Sequence, residues 1–430
     1  MTKQVGSVPA PAPASSAHGS LPPAAPDGYR RTTMVLAIVS VVLLGMNLRV
    51  AVASAAALFP ALQELLGYGP LVASLLPTIP VLCFAFAGLA TPRLMRLLGL
   101  EKSMVLSLVL LTAGLATRLT PATSMLLLGT IVAMSGLAVC NVAMPSFVRK
   151  YFPHRTAGIT SLYSITMSAG AALASGISVP LALQLDSPLA ALGVWAIPTL
   201  VALAAVLPLA IGSRREKTAG NSAAHVSPWP LLATRSGLLI TGLFTLQALL
   251  VYSIVGWLPS ILIDRGLDPT TAGLLLGALQ LISIPATLVV MGLAAKGQLR
   301  AAFMIASGAA LVGFVSLEVL PVSLALLPTV FLGIGFTMFP LVMLAISRSG
   351  ENVEESSAMS SLAQSVGYVV AAIGPFSLGL IFSLLGSWSV PLWLLVAAAI
   401  LQVLLAQWLS SGTGGRTSGR LEQVDAGSEE

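Results

Sequence analysis

Residues 34–58 read MVLAIVSVVLLGMNLRVAVASAAAL, an apolar run in which Arg49 is the only charged residue. The hydrocarbon core of a bilayer is about 30 Å thick and a helix rises about 1.5 Å per residue, so about 20 apolar residues cross it. Lipid offers no water to backbone polar groups, and a helix satisfies those groups within one segment. We therefore predict that this run is a transmembrane helix.

Apolar runs of similar length recur along the whole chain. The predicted spans are 34–58, 70–90, 103–119, 124–145, 158–183, 190–211, 236–258, 271–294, 301–319, 323–346, 356–384 and 389–410. Apolar residues make up 56% of the 430 residues and charged residues only 8%, which lies outside the usage of soluble domains. The sequence therefore predicts an all-α membrane protein with twelve transmembrane helices in contact with the lipid bilayer.

Lys and Arg residues are distributed unequally between the two ends of the predicted spans. If the N-terminus is inside, the outer segments hold only Arg118 and Arg265, and the other loops and tails hold the remaining basic residues. Basic loops resist translocation, so this asymmetry sets the orientation. We predict a plasma-membrane protein with both termini in the cytoplasm. The net charge of +6 needs no nucleic-acid partner to explain it.

A polar interruption between the sixth and seventh spans divides the chain into two halves. The interval from Pro145 to Pro180 equals the interval from Pro340 to Pro375, as expected for a repeat. Such repeats place a solute site near the bilayer midplane, between the halves. The predicted domains are a disordered cytoplasmic tail over 1–33, an N-terminal six-helix bundle over 34–211, a cytoplasmic linker over 212–235, a C-terminal six-helix bundle over 236–410 and a disordered cytoplasmic tail over 411–430.

Short motifs resemble the major facilitator superfamily over nearly all of residues 34–410. Within it, Asn47-Leu48-Arg49, residues 76–82 (LPTIPVL) and residues 141–145 (NVAMP) are similar to the cyanate and 2-nitroimidazole transporter family. The resemblance implies two pseudo-symmetric six-helix bundles around a central cavity. It also implies a solute that is a small, cyanate-like anion or a small polar heterocycle.

The superfamily's loop signature after the second span is present in part. By this resemblance we assign a gating loop to Gly88, Arg93, Arg96 and Gly99. The usual acidic residue of the signature is missing, because Thr91 and Pro92 stand in that region.

Arg49 lies deep in the first predicted span, where a central charge costs about 2.5 to 3.5 kcal/mol on insertion scales. It is therefore expected to face protein or water. Its planar guanidinium suits small delocalised or carboxylate-like anions in bidentate geometry. Two interpretations stay open: contact with the substrate, or a structural arginine neutralised by carbonyl and side-chain oxygens.

Other polar side chains lie within the apolar runs and are candidates to complete a site. The candidate substrate-binding residues besides Arg49 are Asn47, Asn141, Tyr163, Gln247, Tyr252, Gln280 and Gln364, and Ser164 and Tyr368 are of the same kind. Each is equally explained as an interhelical hydrogen bond. Gln247 occupies a place in the seventh span comparable to that of Arg49 in the first. We expect these two side chains to face each other across the pseudo-twofold axis.

No Asp or Glu lies in the middle of a predicted span, and arginine does not titrate. The sequence therefore favours uniport, or exchange of like-charged solutes, over acid-driven symport. It shows no metal-ligand cluster, phosphate-binding glycine loop or nucleophile triad. We predict a protein that is not an enzyme and has no metal or cofactor.

The predicted function is secondary active or facilitative transport of a small anion or small polar organic solute by alternating access, with the protein acting as a monomer. The alternative is a multidrug efflux transporter coupled to protons. Aromatic residues make up only 6% of the chain, and the one buried charge repels cations, which disfavours this alternative.

Overall fold

The computed structural model describes residues 27–212, 229–349 and 353–426. Its helices are α1 (Asp27–Leu66), α2 (Pro70–Leu98), α3 (Leu100–Thr117), α4 (Thr123–Tyr151), α5 (Thr156–Gln184), α6 (Pro188–Val194), α7 (Ala196–Gly212), α8 (Arg235–Asp264), α9 (Pro269–Ala295), α10 (Leu299–Val319), α11 (Leu326–Gly335), α12 (Met338–Ser347), α13 (Val353–Ala371), α14 (Ile373–Leu385) and α15 (Ser389–Ala426). Short 3-10 turns form at Trp229–Ala233 and Val322–Leu324. The described ranges contain no strand. Twelve helical segments there are long and apolar enough to cross a membrane, so the predicted all-α membrane fold is confirmed.

Three of the twelve spans are each built from two consecutive helices: α6 with α7, α11 with α12, and α13 with α14. In each case the third residue of the second helix is a proline, namely Pro198, Pro340 or Pro375. Proline has no N–H to donate to the carbonyl four residues earlier, so the hydrogen-bond ladder is interrupted there. The residues at the breaks keep right-handed helical dihedrals, as at Ala372 (φ −61°, ψ −23°), so the chain continues across the membrane.

Several helices extend beyond the predicted apolar runs. α1 begins at Asp27 and passes through Pro60 to Leu66, and α15 is helical to Ala426, inside the segment predicted as a disordered tail. A helix nucleated by apolar residues adds further residues at little cost, so its ends need not coincide with the ends of the apolar run. Residues 1–26 of the first predicted tail and 213–228 of the predicted linker lie outside the described residues.

The predicted gating loop is not a loop. Gly88, Arg93 and Arg96 belong to the last turns of α2, and a single residue, Gly99, joins α2 to α3. Gly99 has φ +87° and donates its N–H to the carbonyl of Met95. Because glycine tolerates positive φ, one residue is enough to reverse the chain here, and the signature residues stay helical.

The helices form two bundles. In the N-terminal half α1 packs on α5 and α7, and α4 packs on α2 and α3. In the C-terminal half α8 packs on α13 and α15, and α10 packs on α11 and α15. The halves meet where α2 contacts α13 and α14, where α5 contacts α9, and where α1 contacts α8.

The halves are pressed together at the end that bears the connections 67–69 and 265–268, here called the closed end. A Cβ atom at Gly277 of α9 would lie 2.9 Å from the carbonyl oxygen of Ala172 on α5, and one at Gly256 of α8 would lie 2.6 Å from Pro77 Cβ on α2. On α5, residues 170–179 are mostly buried, whereas none of the residues described in 158–169 is. Contact along this helix is therefore concentrated toward the closed end.

Candidate functional site

Arg49 lies on the face of α1 that turns toward the C-terminal half. It is partly exposed, and Val52 and Ala56 follow it at helical spacing along the same face. Among the described residues, its guanidinium makes no hydrogen bond and no ion pair. It lies close enough to Tyr252 on α8 and Tyr368 on α13 to interact electrostatically with both side chains. Arg49 thus stands opposite two phenolic side chains of the other half with its donors uncommitted.

An aromatic cluster lies beside Arg49. The ring centroids of Phe84, Tyr252 and Tyr368 are 6.0, 5.8 and 6.0 Å apart, and Phe244 packs edge-on against Tyr368 at 5.1 Å. These separations fall in the range of favourable aromatic contacts. Phe84 comes from α2, so the cluster joins the two halves. Although aromatic residues are few in the chain as a whole, four of them form this one cluster in the region of Arg49.

The described carboxylates that form ion pairs lie elsewhere. Glu101 at the start of α3 accepts from Lys150 Nζ at 2.9 Å and from the Tyr151 hydroxyl at 3.0 Å. Glu318 on α10 pairs with Arg265 at 2.6 Å. Within the described part of the chain, neither Glu101 nor Glu318 serves as a counter-charge for Arg49, so the positive charge of Arg49 is not neutralised by these carboxylates.

Asn47, two residues before Arg49, lies on another face of α1 and contacts α7 of its own half. Its Nδ2 donates to the carbonyls of Leu43 (2.8 Å) and Pro198 (3.1 Å), and its Oδ1 accepts from Thr199 Oγ1 at 2.9 Å. Pro198 and Thr199 lie in the first turn of α7, so Asn47 ties α1 to the start of α7. This geometry favours the structural interpretation of Asn47.

Gln247 bonds a neighbouring helix of its own half. Its Oε1 accepts from Nε2 of Gln402 on α15 at 3.1 Å, and both side chains are buried. This contact favours the structural interpretation of Gln247, and the expectation that it faces Arg49 stays a prediction. The counterpart of Gln247 in the N-terminal half is Asn47, since each ties the first helix of its half to the last.

The remaining sequence candidates have different surroundings. Gln364 lies one turn from Tyr368 on α13 and donates to Ser360 Oγ on its own helix at 2.8 Å, so it stays near the cluster. Tyr163 on α5 is half-buried against the core of the N-terminal half, and Asn141 on α4 is also half-buried. Gln280 on α9 is fully buried, and its amide nitrogen has no hydrogen-bond partner within the described ranges.

Two residues of this region escaped the sequence analysis. Phe84 gave no signal, because an apolar residue in a predicted span is not distinguished from the core. Arg118 was assigned to an outer segment, yet it is only 1% exposed, and its NH1 group donates to the carbonyl of Ala51 at 3.3 Å. The sequence did offer one indication that Arg118 lies in the membrane, because residue 118 falls in the last turn of the predicted span 103–119.

The sequence profile of the Major Facilitator Superfamily matches residues 35–375. The 2-nitroimidazole transporter of Escherichia coli (strain K12) is 34% identical over 378 residues, which cover 86% of this chain and 94% of the relative. The cyanate transport protein CynX of the same organism is 26% identical over 349 residues, covering 81% and 90%. The crystal structure of the nucleoside transporter NupG matches with a TM-score of 0.71 at 12% identity, over 87% of this chain and 99% of that chain. This last likeness shows the fold alone.

Proposed function

The chain belongs to the Major Facilitator Superfamily and is a multi-pass transport protein, and on that premise we propose that it moves a small anion or small polar heterocycle bound at Arg49. One observation carries the proposal: the Arg49 side chain stands between the halves with no hydrogen bond or ion pair to a described residue. An intramembrane cation persists where it faces protein or water, and it marks a solute path by default. Uncommitted donors are what an anionic ligand requires.

The chemistry of the site favours a flat solute with delocalised charge. A guanidinium presents parallel N–H donors to planar acceptors such as carboxylate or nitro oxygens. Phe84, Tyr252 and Tyr368 offer faces and edges against which a small ring can pack. Relatives named as transporters of cyanate and of 2-nitroimidazole support solutes of these two kinds.

Transport is proposed to follow alternating access. The packing at the closed end, where α5 meets α9 and α2 meets α8, defines one conformation. Rocking of the two halves about the site would separate them there and bring them together at the opposite end. We place the protein in the plasma membrane with both termini in the cytoplasm, so that the closed end faces outward. Both halves are in one chain, so a monomer suffices for the pathway.

The charge distribution supports uniport or anion exchange over proton coupling. Glu101 and Glu318 are held in ion pairs, and within the described residues neither lies against Arg49. A proton-coupled multidrug exporter is the alternative, because the aromatic cluster could also pack against planar drugs. It would bind planar cationic drugs, which the unpaired charge of Arg49 repels.

The first experiment measures thermal stabilisation of the purified protein by cyanate, 2-nitroimidazole and a cationic drug. We expect the first two to stabilise the wild type and to lose that effect in Arg49→Gln. Arg300→Gln is the matched control, because Arg300 is exposed near the start of α10. Uptake into proteoliposomes should fail for Arg49→Gln and persist for Arg300→Gln.

Two results would overturn the proposal. Stabilisation by the cationic drug in both wild type and Arg49→Gln would favour multidrug export. Loss of folded protein in both Arg49→Gln and Arg49→Lys, with no ligand effect on the wild type, would make Arg49 structural.

A further inference from the structure

A second cation, Arg118, is buried close to the turn of α1 that carries Arg49. Arg118 caps the end of α3, and its NH1 group donates to the carbonyl of Ala51, two residues beyond Arg49. It is 1% exposed, and among the described residues its Nε atom has no hydrogen-bond partner. Two positive side chains therefore lie at the same part of α1, one belonging to α1 and one reaching it from α3.

Glycine residues where α3 packs on α4 leave room for this side chain. A Cβ atom at Gly129 of α4 would lie 2.9 Å from Arg118 Cγ. One at Gly114 of α3 would lie 2.3 Å from the backbone nitrogen of Ala133, so the two helices cross almost in backbone contact. The side chain of Arg118 is thereby held between α3, α4 and α1.

The charge of Arg118 is only partly compensated by the protein. The carbonyls at the C-terminal end of α3 favour a cation, as does the carbonyl of Ala51. Within the described residues no carboxylate pairs with Arg118. Buried charges in proteins are normally paired, so an unpaired buried arginine with an unused N–H is suited to bind an anion.

A small cavity adjoins Arg118 at the boundary between the halves. Its volume is about 20 Å³, and its walls include Arg118 and Thr130 from the N-terminal half and Tyr252, Val255 and Gly256 from the C-terminal half. A space of this size holds one particle the size of water. Tyr252 also faces Arg49, so the cavity and the solute site share one wall.

We propose that Arg118 is a second anion-binding residue, which receives the transported small monovalent anion from the closed end when the halves separate there. The cavity walls come from both halves, and separation along this boundary widens it and exposes Arg118. Tyr252 then lies between the two cations, and the anion passes from Arg118 to Arg49. The proposal rests on the proposed function, because it assigns the same solute to a second position.

The test is sided transport in oriented proteoliposomes, with the anion that stabilises the wild type. For Arg118→Gln we expect the KM measured from the closed-end face to rise about tenfold or more, the effect of losing one charged contact. The KM from the opposite face and the thermal stabilisation by that anion should stay at wild-type values. Arg118→Lys should recover much of the closed-end KM. Arg300→Gln, at an exposed residue near the start of α10, should change neither KM.

An unchanged KM from both faces in folded Arg118→Gln would overturn the proposal. Failure of the proposed function looks different, since Arg49→Gln would then transport normally and the wild type would show no stabilisation by anions.

A second experiment leaves Arg118 unchanged and therefore still tests the proposal if Arg118→Gln does not fold. It measures the rate of thiol modification at a cysteine placed in the cavity. Thr130 lines the cavity and, among the described residues, its hydroxyl donates to the carbonyl of Leu126, so Thr130→Cys is a mild change that fits a background with Cys83 and Cys140 replaced. The rate of modification from the closed-end face is divided, for each thiosulfonate reagent, by the rate of the same reagent with a small thiol in solution. This relative rate should be higher for a negatively charged reagent than for a positively charged one of similar size, and the transported anion should lower it. Equal relative rates, or a higher relative rate for the cationic reagent, would contradict an anion site at Arg118.

Discussion

Gln402 donates its amide to Oε1 of Gln247 across 3.1 Å inside the membrane-spanning core, joining the last helix of the C-terminal half to the first. Thr199 and Asn47 make the matching contact in the N-terminal half at 2.9 Å. The repeat between the halves therefore includes its interhelical polar contacts as well as its spans. Hydrogen bonds of this kind between membrane helices contribute about 0.5 to 2 kcal/mol each.

We predict that Gln247→Leu destabilises the protein by about 1 to 2 kcal/mol, because the buried amide of Gln402 loses its only acceptor among the described residues. Transport by the folded variant should keep the wild-type KM. Denaturation in detergent micelles measures the first effect and uptake measures the second. Gln247→Leu with Gln402→Leu should cost less than the sum of the single changes. A change in KM without loss of stability would contradict this structural role and indicate that Gln247 contacts the solute.

Tyr252→Phe removes one hydroxyl next to Arg49 and keeps the ring that packs on Phe84. We expect the KM for the transported solute to rise about three- to tenfold, as for a lost hydrogen bond to a polar ligand. The melting temperature should change little. Uptake kinetics and a thermal melt on the same preparation test both statements. Tyr163→Phe is the matched control, since Tyr163 packs in the N-terminal core, and an equal KM effect there would contradict the assignment.

Gly277→Leu should prevent the halves from packing at the closed end. The new side chain would collide with the backbone of Ala172 on α5, and backbone does not yield as a flexible side chain does. We expect the closed end to become accessible, so that a cysteine at Ser175 is modified faster from that face. Gly292→Leu on the same helix is the control, because no neighbouring atom lies within 4 Å of a Cβ there. Equal labelling in both variants would show that this contact does not hold the end shut.

Glu101→Gln should lower stability by about 1 to 2 kcal/mol. Glu101 is 3% exposed and bonds both Lys150 and Tyr151, whereas Lys150 is 34% exposed and regains water when the pair is broken. Glu64→Gln, an exposed carboxylate near the end of α1, should have no measurable effect. Chemical denaturation of the two variants, measured in parallel with the wild type, gives the change in unfolding free energy for each. Equal losses would mean that the α3–α4 pair contributes nothing specific.

Sequence patterns predicted the spans well but not where the helices break. Each span is identified by its own apolar residues, independently of its neighbours. Proline gave no reliable signal, since Pro145 and Pro180 lie inside continuous helices while their repeat partners Pro340 and Pro375 follow interruptions. Whether a proline interrupts a helix depends on what the neighbouring helices offer to the freed carbonyl.

Part of the candidate site was also visible in the sequence. Arg49 stood out because a charge in an apolar run is costly, and Tyr252 was among the polar residues singled out with it. Asn47 and Gln247 gave the same local signal, yet both face the last helix of their own half. Phe84 and Arg118 became apparent only from their neighbours in space. All of these assignments to solute binding stay predictions until the experiments above are done.

By itself, the sequence determined that the chain has apolar helices long enough to cross the membrane, how many there are, and that Arg49 interrupts the first of them. These follow from hydrophobicity and length, which act residue by residue along one helix. The tertiary structure alone decided which face of each helix turns inward, that Tyr252 and Tyr368 flank Arg49, and that Arg118 leaves its helix end to reach Ala51. Rotation of a helix about its axis is set by packing against its neighbours, and an almost uniformly apolar helix carries little information about that rotation.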